Sequence, residues 1–105
     1  MIDQLIARGR PQPFQLEETI IHGERELRVI GELDLATSGQ LREAIDDRTG
    51  DADDVLIDLA DCEFMDASGL GVMAHARLRL AGSDRSLSTR SATGQPMRLL
   101  ALTGQ

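Results

Sequence analysis

Hydrophobic and polar residues alternate along residues 14–33, which is the pattern of half-buried β-strands. The alternation predicts one strand over 14–21 and a second over 26–33, each with apolar side chains on one face. Between them, residues 22–24 (His-Gly-Glu) have the composition of a turn. We therefore expect the two strands to pair as a hairpin.

The residues that follow the hairpin have the apolar spacing of a helix. Thr37 and Gln40 have the spacing of a capping box, in which two side chains satisfy unpaired backbone groups at a helix start. The apolar stripe of this helix consists of Leu41, Ala44 and Ile45. Gly50 suits its C-terminal end. The pattern predicts an amphipathic helix between 37 and 50.

Apolar residues are dense in the middle of the chain. Residues 55–59 (VLIDL) are nearly continuous in apolar character, which is typical of a central strand covered on both faces. A second helix is predicted over 68–81 and ends at Gly82. Its apolar residues cover more than one stripe, so this helix is either deeply buried or presents apolar surface to a partner.

The last part of the chain carries weaker signals. Residues 87–92 predict a poor strand, and Pro96 suits the first turn of a final helix that ends before Gly104. Strands and helices therefore follow the order β-β-α-β-α-β-α. This order predicts an α/β fold with some parallel strand pairing.

The composition limits the chain to one small domain. Its 105 residues carry a net charge of −7 and only two aromatic residues, so we expect an aliphatic core. The single Cys62 excludes an internal disulfide framework and a multi-cysteine metal site, and we expect a buried, inert thiol. Such an acidic chain disfavours nucleic acid as a partner, because phosphate contacts need clustered lysine and arginine.

The sequence carries no signal for membrane insertion or export. No apolar run approaches the length of a transmembrane helix, and no basic segment leads into an apolar stretch as in a signal peptide. We therefore expect a cytoplasmic protein.

Negative charge is concentrated in residues 43–66, which hold ten carboxylates and one arginine. One interpretation of this segment is a solvated helix end and loop. The other is a surface that selects a basic partner through complementary charge.

Candidate chemistry is concentrated in residues 66–71 (Asp-Ala-Ser-Gly-Leu-Gly), at the start of the second helix. Ser68 places a hydroxyl at a helix N-terminus, where unpaired N–H groups and the helix dipole favour negative charge. The glycines on either side of Leu70 keep the surface open to a close approach by another backbone. In the alternative interpretation, Ser68 or Asp66 only caps the helix.

Two segments of the chain resemble a known family. The string FMDASGLGVM at 64–73, preceded by VLIDLADCEF, resembles the signature of the STAS domain of bacterial anti-sigma-factor antagonists. The string GELDLATSGQL at 31–41 resembles the same family's segment from the second strand into the next helix. The resemblance covers residues 16–102. It implies a STAS-like α/β fold over 14–105, with helices packed on a mixed, mostly parallel four-stranded sheet.

Residues 1–13 precede that domain and contain one glycine and two prolines, so we expect a flexible N-terminal arm. The resemblance implies a regulator rather than an enzyme, without a cofactor or metal of its own. In this family, an anti-sigma factor that is also a serine kinase phosphorylates the serine before the first glycine, which corresponds to Ser68. The unphosphorylated antagonist binds the anti-sigma factor and releases the sigma factor, whereas the phosphorylated form dissociates. A metal-dependent serine phosphatase removes the phosphate.

We expect a group of residues to surround the phosphoacceptor or to contact the partner. They are Asp34, Thr37, Asp66, Ala67, Gly69, Leu70, Gly71 and Met73. Three of these have a structural alternative, which is a helix cap for Thr37 and a place in the core for Leu70 and Met73.

Two other functions are compatible with part of the pattern. A hydrolytic triad of Ser68, His75 and Asp66 conflicts with its spacing, because Ser68 and His75 lie roughly 10 Å apart along a helix and a nucleophile and its base need about 3 Å. The nucleophile elbow also requires glycine where Asp66 stands. The stronger alternative is a STAS module of another assembly, such as a lipid-transport ABC system or a stress-signalling complex.

Two features depart from the family's pattern. Ala67 stands where some members have a second serine, so Ser68 is the only acceptor there. Members usually continue beyond the position of Gln105 with a further strand and helix, so we expect the fold to lack both. The strand at 87–92 would then lie near a poorly covered edge, which predicts marginal stability or self-association as a homodimer.

Overall fold

The computed structural model describes residues 12–47 and 54–104, which form four strands and three helices. In chain order these are β1 (Gln15–Ile21), β2 (Glu24–Leu33), α1 (Ser38–Asp46), β3 (Asp54–Met65), α2 (Ala67–Ala81), β4 (Leu87–Arg90) and α3 (Gly94–Thr103). Each strand and helix predicted from the sequence is present. Gly50 and residues 1–11 of the predicted arm lie outside the described residues.

The strands form one sheet in the order β1-β2-β3-β4. β1 and β2 are antiparallel and joined by a tight turn at His22 and Gly23, both with positive φ, so the predicted hairpin is confirmed. β3 runs parallel to β2 and to β4, because α1 and α2 carry the chain back between successive strands. The expected mixed and mostly parallel four-stranded sheet is therefore confirmed.

β3 is longer than the apolar run at 55–59 predicts. It continues to Met65 because its pairing with β2 continues to Leu33, across two irregularities in the register. Gly31 lies beside one of them with a φ of +93°, and a Cβ atom there would lie 2.8 Å from the Gln12 carbonyl oxygen. The two strands therefore end side by side, immediately before the candidate site.

An aliphatic core lies between the sheet and the helices, and each fully buried side chain of this kind contributes roughly 1.5–3 kcal/mol. The sheet supplies Leu27, Val29, Leu33, Val55, Ile57, Leu59 and Met65, and the helices supply Leu41, Ile45, Met73, Ala76, Leu80 and Leu100. α2 buries one stripe and leaves Leu78 75% exposed. Of the two interpretations of α2, the fully buried helix is therefore wrong.

Arginines of the chain neutralise part of the acidic segment at 43–66. The ion pairs are Asp46–Arg79, Asp58–Arg90 and Asp61–Arg28. Asp58 is also nearly buried, and its Oδ1 accepts a hydrogen bond from the Ala60 N–H at 2.9 Å. Among the described residues of the segment, three carboxylates are therefore paired with arginines of the same chain.

Cys62 is buried, as predicted. Burial raises the pKa of its thiol, because the charged thiolate would lose its hydration. We predict that alkylating reagents leave Cys62 unmodified in the folded protein at about pH 8, where an exposed cysteine reacts readily. Intact-mass measurement before and after unfolding checks this, and complete modification is expected only after unfolding. Rapid alkylation of the folded protein would contradict the assignment of an inert thiol.

Candidate functional site

The candidate site lies where β2 and β3 end. Because these parallel strands pair through Leu33 and Met65, the residues that follow, Asp34 and Asp66, emerge at the same edge of the sheet. Two hydrogen bonds join the strand ends, from the Asp66 N–H to the Leu33 carbonyl at 3.2 Å and from the Leu35 N–H to Asp66 Oδ2 at 3.2 Å. The two aspartates are thus brought together by the register of the sheet.

Asp66, not Ser68, is the N-cap of α2. Asp66 Oδ1 accepts hydrogen bonds from the N–H groups of Ser68 at 2.8 Å and Gly69 at 3.3 Å. A cap of this kind stabilises a helix by about 1 kcal/mol. Since the other carboxylate oxygen binds the Leu35 N–H, Asp66 connects the turn after β2 to the first turn of α2.

Ser68 is the second residue of α2, and its side chain is half-buried. Within residues 12–47 and 54–104, no hydrogen bond engages its hydroxyl, because the capping role belongs to Asp66. The hydroxyl lies at the positive end of the helix dipole, where added negative charge is favoured. A partly exposed hydroxyl without a structural role is what a phosphoacceptor requires.

The turn between β2 and α1 is closed by Asp34 and Thr37. Asp34 Oδ1 accepts hydrogen bonds from two N–H groups of the turn, at 3.0 and 3.2 Å. The Thr37 hydroxyl donates to the Glu32 carbonyl at 2.7 Å and accepts from the Asp34 N–H at 3.0 Å. The predicted capping box of Thr37 and Gln40 is therefore wrong, because the hydroxyl is already engaged by the strand end. Both side chains fix the turn that carries Leu35.

The two glycines of α2 near the site have opposite surroundings. A Cβ atom at Gly69 would lie 2.6 Å from Leu33 Cγ and 3.0 Å from the Leu33 carbonyl oxygen, so α2 packs directly on β2 there. Gly71 is exposed, and a Cβ atom at this position would have no neighbour within 4 Å among the described residues. Glycine in a helix costs about 1 kcal/mol relative to alanine. Packing among the described residues explains Gly69 but not Gly71.

Exposed apolar side chains lie on both strand ends. Leu35 is 80% exposed in the turn after β2, and Phe64 is 39% exposed near the end of β3. Sequence reasoning assigned neither a role, although an apolar residue inside a polar turn is a usable signal. Met73 is 2% exposed and lies in the core, which is the structural alternative given for it above, because this part of α2 faces the sheet. Leu70 packs partly against the same core.

A side chain of α3 holds the end of β3. Gln95 Oε1 accepts a hydrogen bond from the Met65 N–H at 2.9 Å, and its Nε2 donates to the Met65 carbonyl at 2.7 Å. These bonds satisfy backbone groups beyond the point where β4 stops pairing with β3, at Arg90. The sequence carries no signal for this contact, because a glutamine in the first turn of a helix is unremarkable. Gln95 therefore fixes the backbone one residue before Asp66.

The geometry does not form a hydrolytic triad. Ser68 and His75 both lie in the continuous helix α2, and a spacing of seven residues separates them by roughly 10 Å along the axis. No cluster of potential metal ligands is found in the described part of the chain. No helix described by the structure is long and apolar enough to span a bilayer.

Comparisons with known proteins agree with this architecture. A family model described as "Mlab, STAS domain" matches residues 20–105. The anti-sigma-B factor antagonist of Staphylococcus epidermidis is 34% identical over 89 residues, which cover 83% of this chain and 82% of the relative. Both matches include the whole of the candidate site in α2.

Solved structures give the same result. An anti-sigma factor antagonist from Mycobacterium paratuberculosis superposes with a TM-score of 0.80 at 26% identity, covering 88% of this chain and 79% of that one. The unphosphorylated form of the anti-sigma factor antagonist SpoIIAA shares the fold, with a TM-score of 0.70, 24% identity and coverage of 88% and 84%. The chain therefore belongs to the family of STAS-domain anti-sigma-factor antagonists.

Proposed function

We propose that this protein is a phosphorylation-controlled partner switch. In its unphosphorylated form it binds an anti-sigma factor of the serine-kinase type and so releases a sigma factor, and phosphorylation of Ser68 ends that binding. The observation that carries the proposal is the Ser68 hydroxyl in the first turn of α2, which is partly exposed and makes no hydrogen bond within the described residues, while Asp66 caps the helix. A metal-dependent serine phosphatase resets the switch.

The partner docks on the surface formed by Leu35, Ala67, Ser68 and Gly71, which we call the docking surface. Ala67 and Gly71 are exposed and small, so the helix backbone can be approached closely. Leu35 is the apolar anchor, since burial of an exposed leucine contributes roughly 1.5–3 kcal/mol. Its position is fixed, because the Leu35 N–H is held by Asp66 and the turn around it is closed by Asp34.

Charge explains how phosphorylation acts at this surface. A phosphate adds about −1.5 to −2 charges at Ser68. The carboxylate of Asp66 lies beside this position, because its Oδ1 accepts a hydrogen bond from the Ser68 N–H itself. The helix N-terminus partly compensates the added charge, so the antagonist tolerates the phosphate without unfolding. The partner, in contrast, would have to desolvate two adjacent anionic groups to bind.

Phosphate mapping tests the phosphoacceptor. We predict that a purified serine-kinase anti-sigma factor of the same organism, incubated with this protein and ATP, adds one phosphate, and that mass spectrometry places it on Ser68. Ser68→Ala is expected to remain unmodified. Ser83, exposed in the turn after α2, is the internal control for nonspecific phosphorylation. Phosphate on Thr37 or Ser83, with none on Ser68, would refute the assignment.

The alternative function, a STAS module of another assembly, predicts a different partner. Co-purification with a kinase-like anti-sigma factor agrees with the partner switch. Co-purification with a transporter ATPase, as in a lipid-transport ABC system, would support the alternative instead. The experiment needs the full chain with Ser68 unphosphorylated, because the phosphorylated form is expected to release its partner.

A further inference from the structure

We infer that the outer edge of β1 is a second protein-binding site, where an extended segment of another protein with apolar and basic side chains adds a strand to the sheet. This surface is separate from the candidate site, so the inference goes beyond the proposed function. β1 is an edge strand of seven residues, of which six are exposed. Within the described residues, β2 is its only strand partner.

The backbone of β1 directs alternate hydrogen-bonding groups away from the sheet. Ile21 and Glu24 are the paired residues that close the two-residue turn of the hairpin. Every second residue of β1 therefore bonds β2, and the residues between them point their N–H and C=O groups outward. Leu16 and Ile20 are of the outward kind. An exposed edge strand with such groups is a template for pairing with another chain.

The opposite edge of the sheet is shorter and partly closed. β4 has only the four residues Leu87–Arg90, and the Leu87 carbonyl accepts a hydrogen bond from Arg77 Nε at 3.2 Å. Short edge strands and covered edges are two ways in which proteins prevent pairing with other chains. β1, with seven residues, is therefore the better template for an added strand.

A groove lies beside β1 on the helix side of the sheet. It has a volume of about 230 Å³ and is lined by Leu16, Glu18, Leu27, Ala44 and Asp47. This volume is below the roughly 300–1,000 Å³ of small-molecule pockets and suits the side chains of a strand. Because successive side chains of a strand point to opposite faces, every second residue of the added strand would face the groove. Three of the five lining residues are apolar, so small apolar side chains fit there.

The charges along β1 favour a basic partner. The Glu17 side chain is 58% exposed on the face opposite the groove, and its ion pair with Arg28 is long, at 3.9 Å. The groove side carries the carboxylates of Asp47 and of Glu18, which also binds Arg25 at 2.7 Å. No residue of β1 or of the groove lining is a lysine or arginine. An arginine or lysine of the partner beside Glu17 is therefore stabilising, whereas two copies of this chain paired around the middle of β1 would bring like charges together.

Amide hydrogen exchange, measured by NMR on the full chain, tests the site with three synthetic peptides. The first alternates arginine and valine over seven residues, one for each residue of β1. The second has the same composition with its arginines and valines in two blocks, and the third alternates glutamate and valine. At equal concentration, we expect only the first to slow exchange of the Leu16 and Ile20 amides, by at least tenfold. The amides of Glu17 and Thr19 are the internal control, because they bond β2 and are protected with and without peptide.

Two variants with the same change of charge test the role of Glu17. Glu17→Gln and Ser88→Lys each raise the net charge by one, but Ser88 is exposed on β4, at the opposite edge of the sheet. We expect Glu17→Gln to bind the alternating arginine–valine peptide at least threefold more weakly than the wild type. Ser88→Lys is expected to bind it within twofold of the wild type.

The inference is overturned if the alternating arginine–valine peptide leaves the Leu16 and Ile20 amides unprotected, or if the block peptide protects them equally, since net charge alone would then explain binding. Unchanged binding of Glu17→Gln also overturns it. Protection of the two amides without peptide has the same consequence. If that protection rises with protein concentration, a second copy covers the edge, and if it is constant, the chain itself does. The proposed function is unaffected by each result, because the experiment involves no anti-sigma factor.

Discussion

Phosphorylation of Ser68 is expected to weaken binding to the anti-sigma factor by about a hundredfold, which corresponds to roughly 2.7 kcal/mol. The phosphate adds charge beside Asp66, whose carboxylate already binds the Ser68 N–H at 2.8 Å. Phosphorylation is expected to lower the affinity for the partner without destabilising the fold, because the Ser68 hydroxyl makes no hydrogen bond to the described chain that the modification would break. Thermal melting of the phosphorylated form should therefore stay close to that of the unmodified protein.

Binding titrations with defined variants separate charge from loss of the hydroxyl. Ser68→Glu is expected to lose at least tenfold in affinity, less than phosphoserine because it adds one charge and fewer oxygens. Ser68→Ala is expected to bind like the wild type. The matched control is Ser83→Glu, which adds the same charge in the exposed turn after α2. Equal binding of Ser68→Glu and the wild type would contradict the switch.

Patterns of alternation and apolar spacing predict the elements of this fold well, and they fail where tertiary pairing sets an element's length. The hairpin and helices α1 to α3 follow from local periodicity. β3 does not end with its apolar run at 59, because β2 offers backbone partners as far as Leu33. Its second half carries polar residues such as Asp61 and Glu63, so no local pattern reveals the extension.

Local sequence signals likewise predict some residues of the candidate site and miss others. Ser68 and Asp66 are found from the sequence because helix capping and the family's signature are local. Leu35 and Gln95 are missed, since their contacts with Asp66 and Met65 span about thirty residues. The capping box fails for a related reason.

The capping box of Thr37 and Gln40 is predicted from their spacing, which is a local signal. In the structure, the Thr37 hydroxyl instead donates a hydrogen bond to the carbonyl of Glu32, near the end of β2. A carbonyl near the end of a strand can accept the hydrogen bond of a side chain that would otherwise cap the helix. Spacing alone does not show which of the two wins. Met73 shows a second limit of sequence patterns. It lies only five residues after Ser68 in the sequence, but its side chain is buried against the sheet.

Replacing Gly69 with alanine is expected to destabilise the protein by about 2–3 kcal/mol, a magnitude typical of an overpacked core. The new Cβ would lie 2.6 Å from Leu33 Cγ, 2.8 Å from its Cδ2 and 3.0 Å from its carbonyl oxygen. Rotation about the Cβ–Cγ bond of Leu33 leaves Cγ in place, and rotation about Cα–Cβ has no free space because the residue is fully buried. Neither rotation moves the Leu33 carbonyl oxygen. α2 must therefore move away from β2. The gain in helix propensity, at most about 1 kcal/mol, offsets only part of the cost.

A double-mutant cycle with Leu33→Ala tests this cause. Leu33→Ala alone is expected to cost about 2–5 kcal/mol, because it leaves a cavity in the core. If the Gly69 methyl group and the Leu33 side chain compete for one space, the double variant should be more stable than the sum of the single effects by about 1–3 kcal/mol. Chemical denaturation of the four proteins measures the coupling, and a Gly69→Ala variant as stable as the wild type would contradict the close contact. The neighbouring Gly71→Ala should shift the Tm in the opposite direction, because one glycine faces β2 and the other faces solvent.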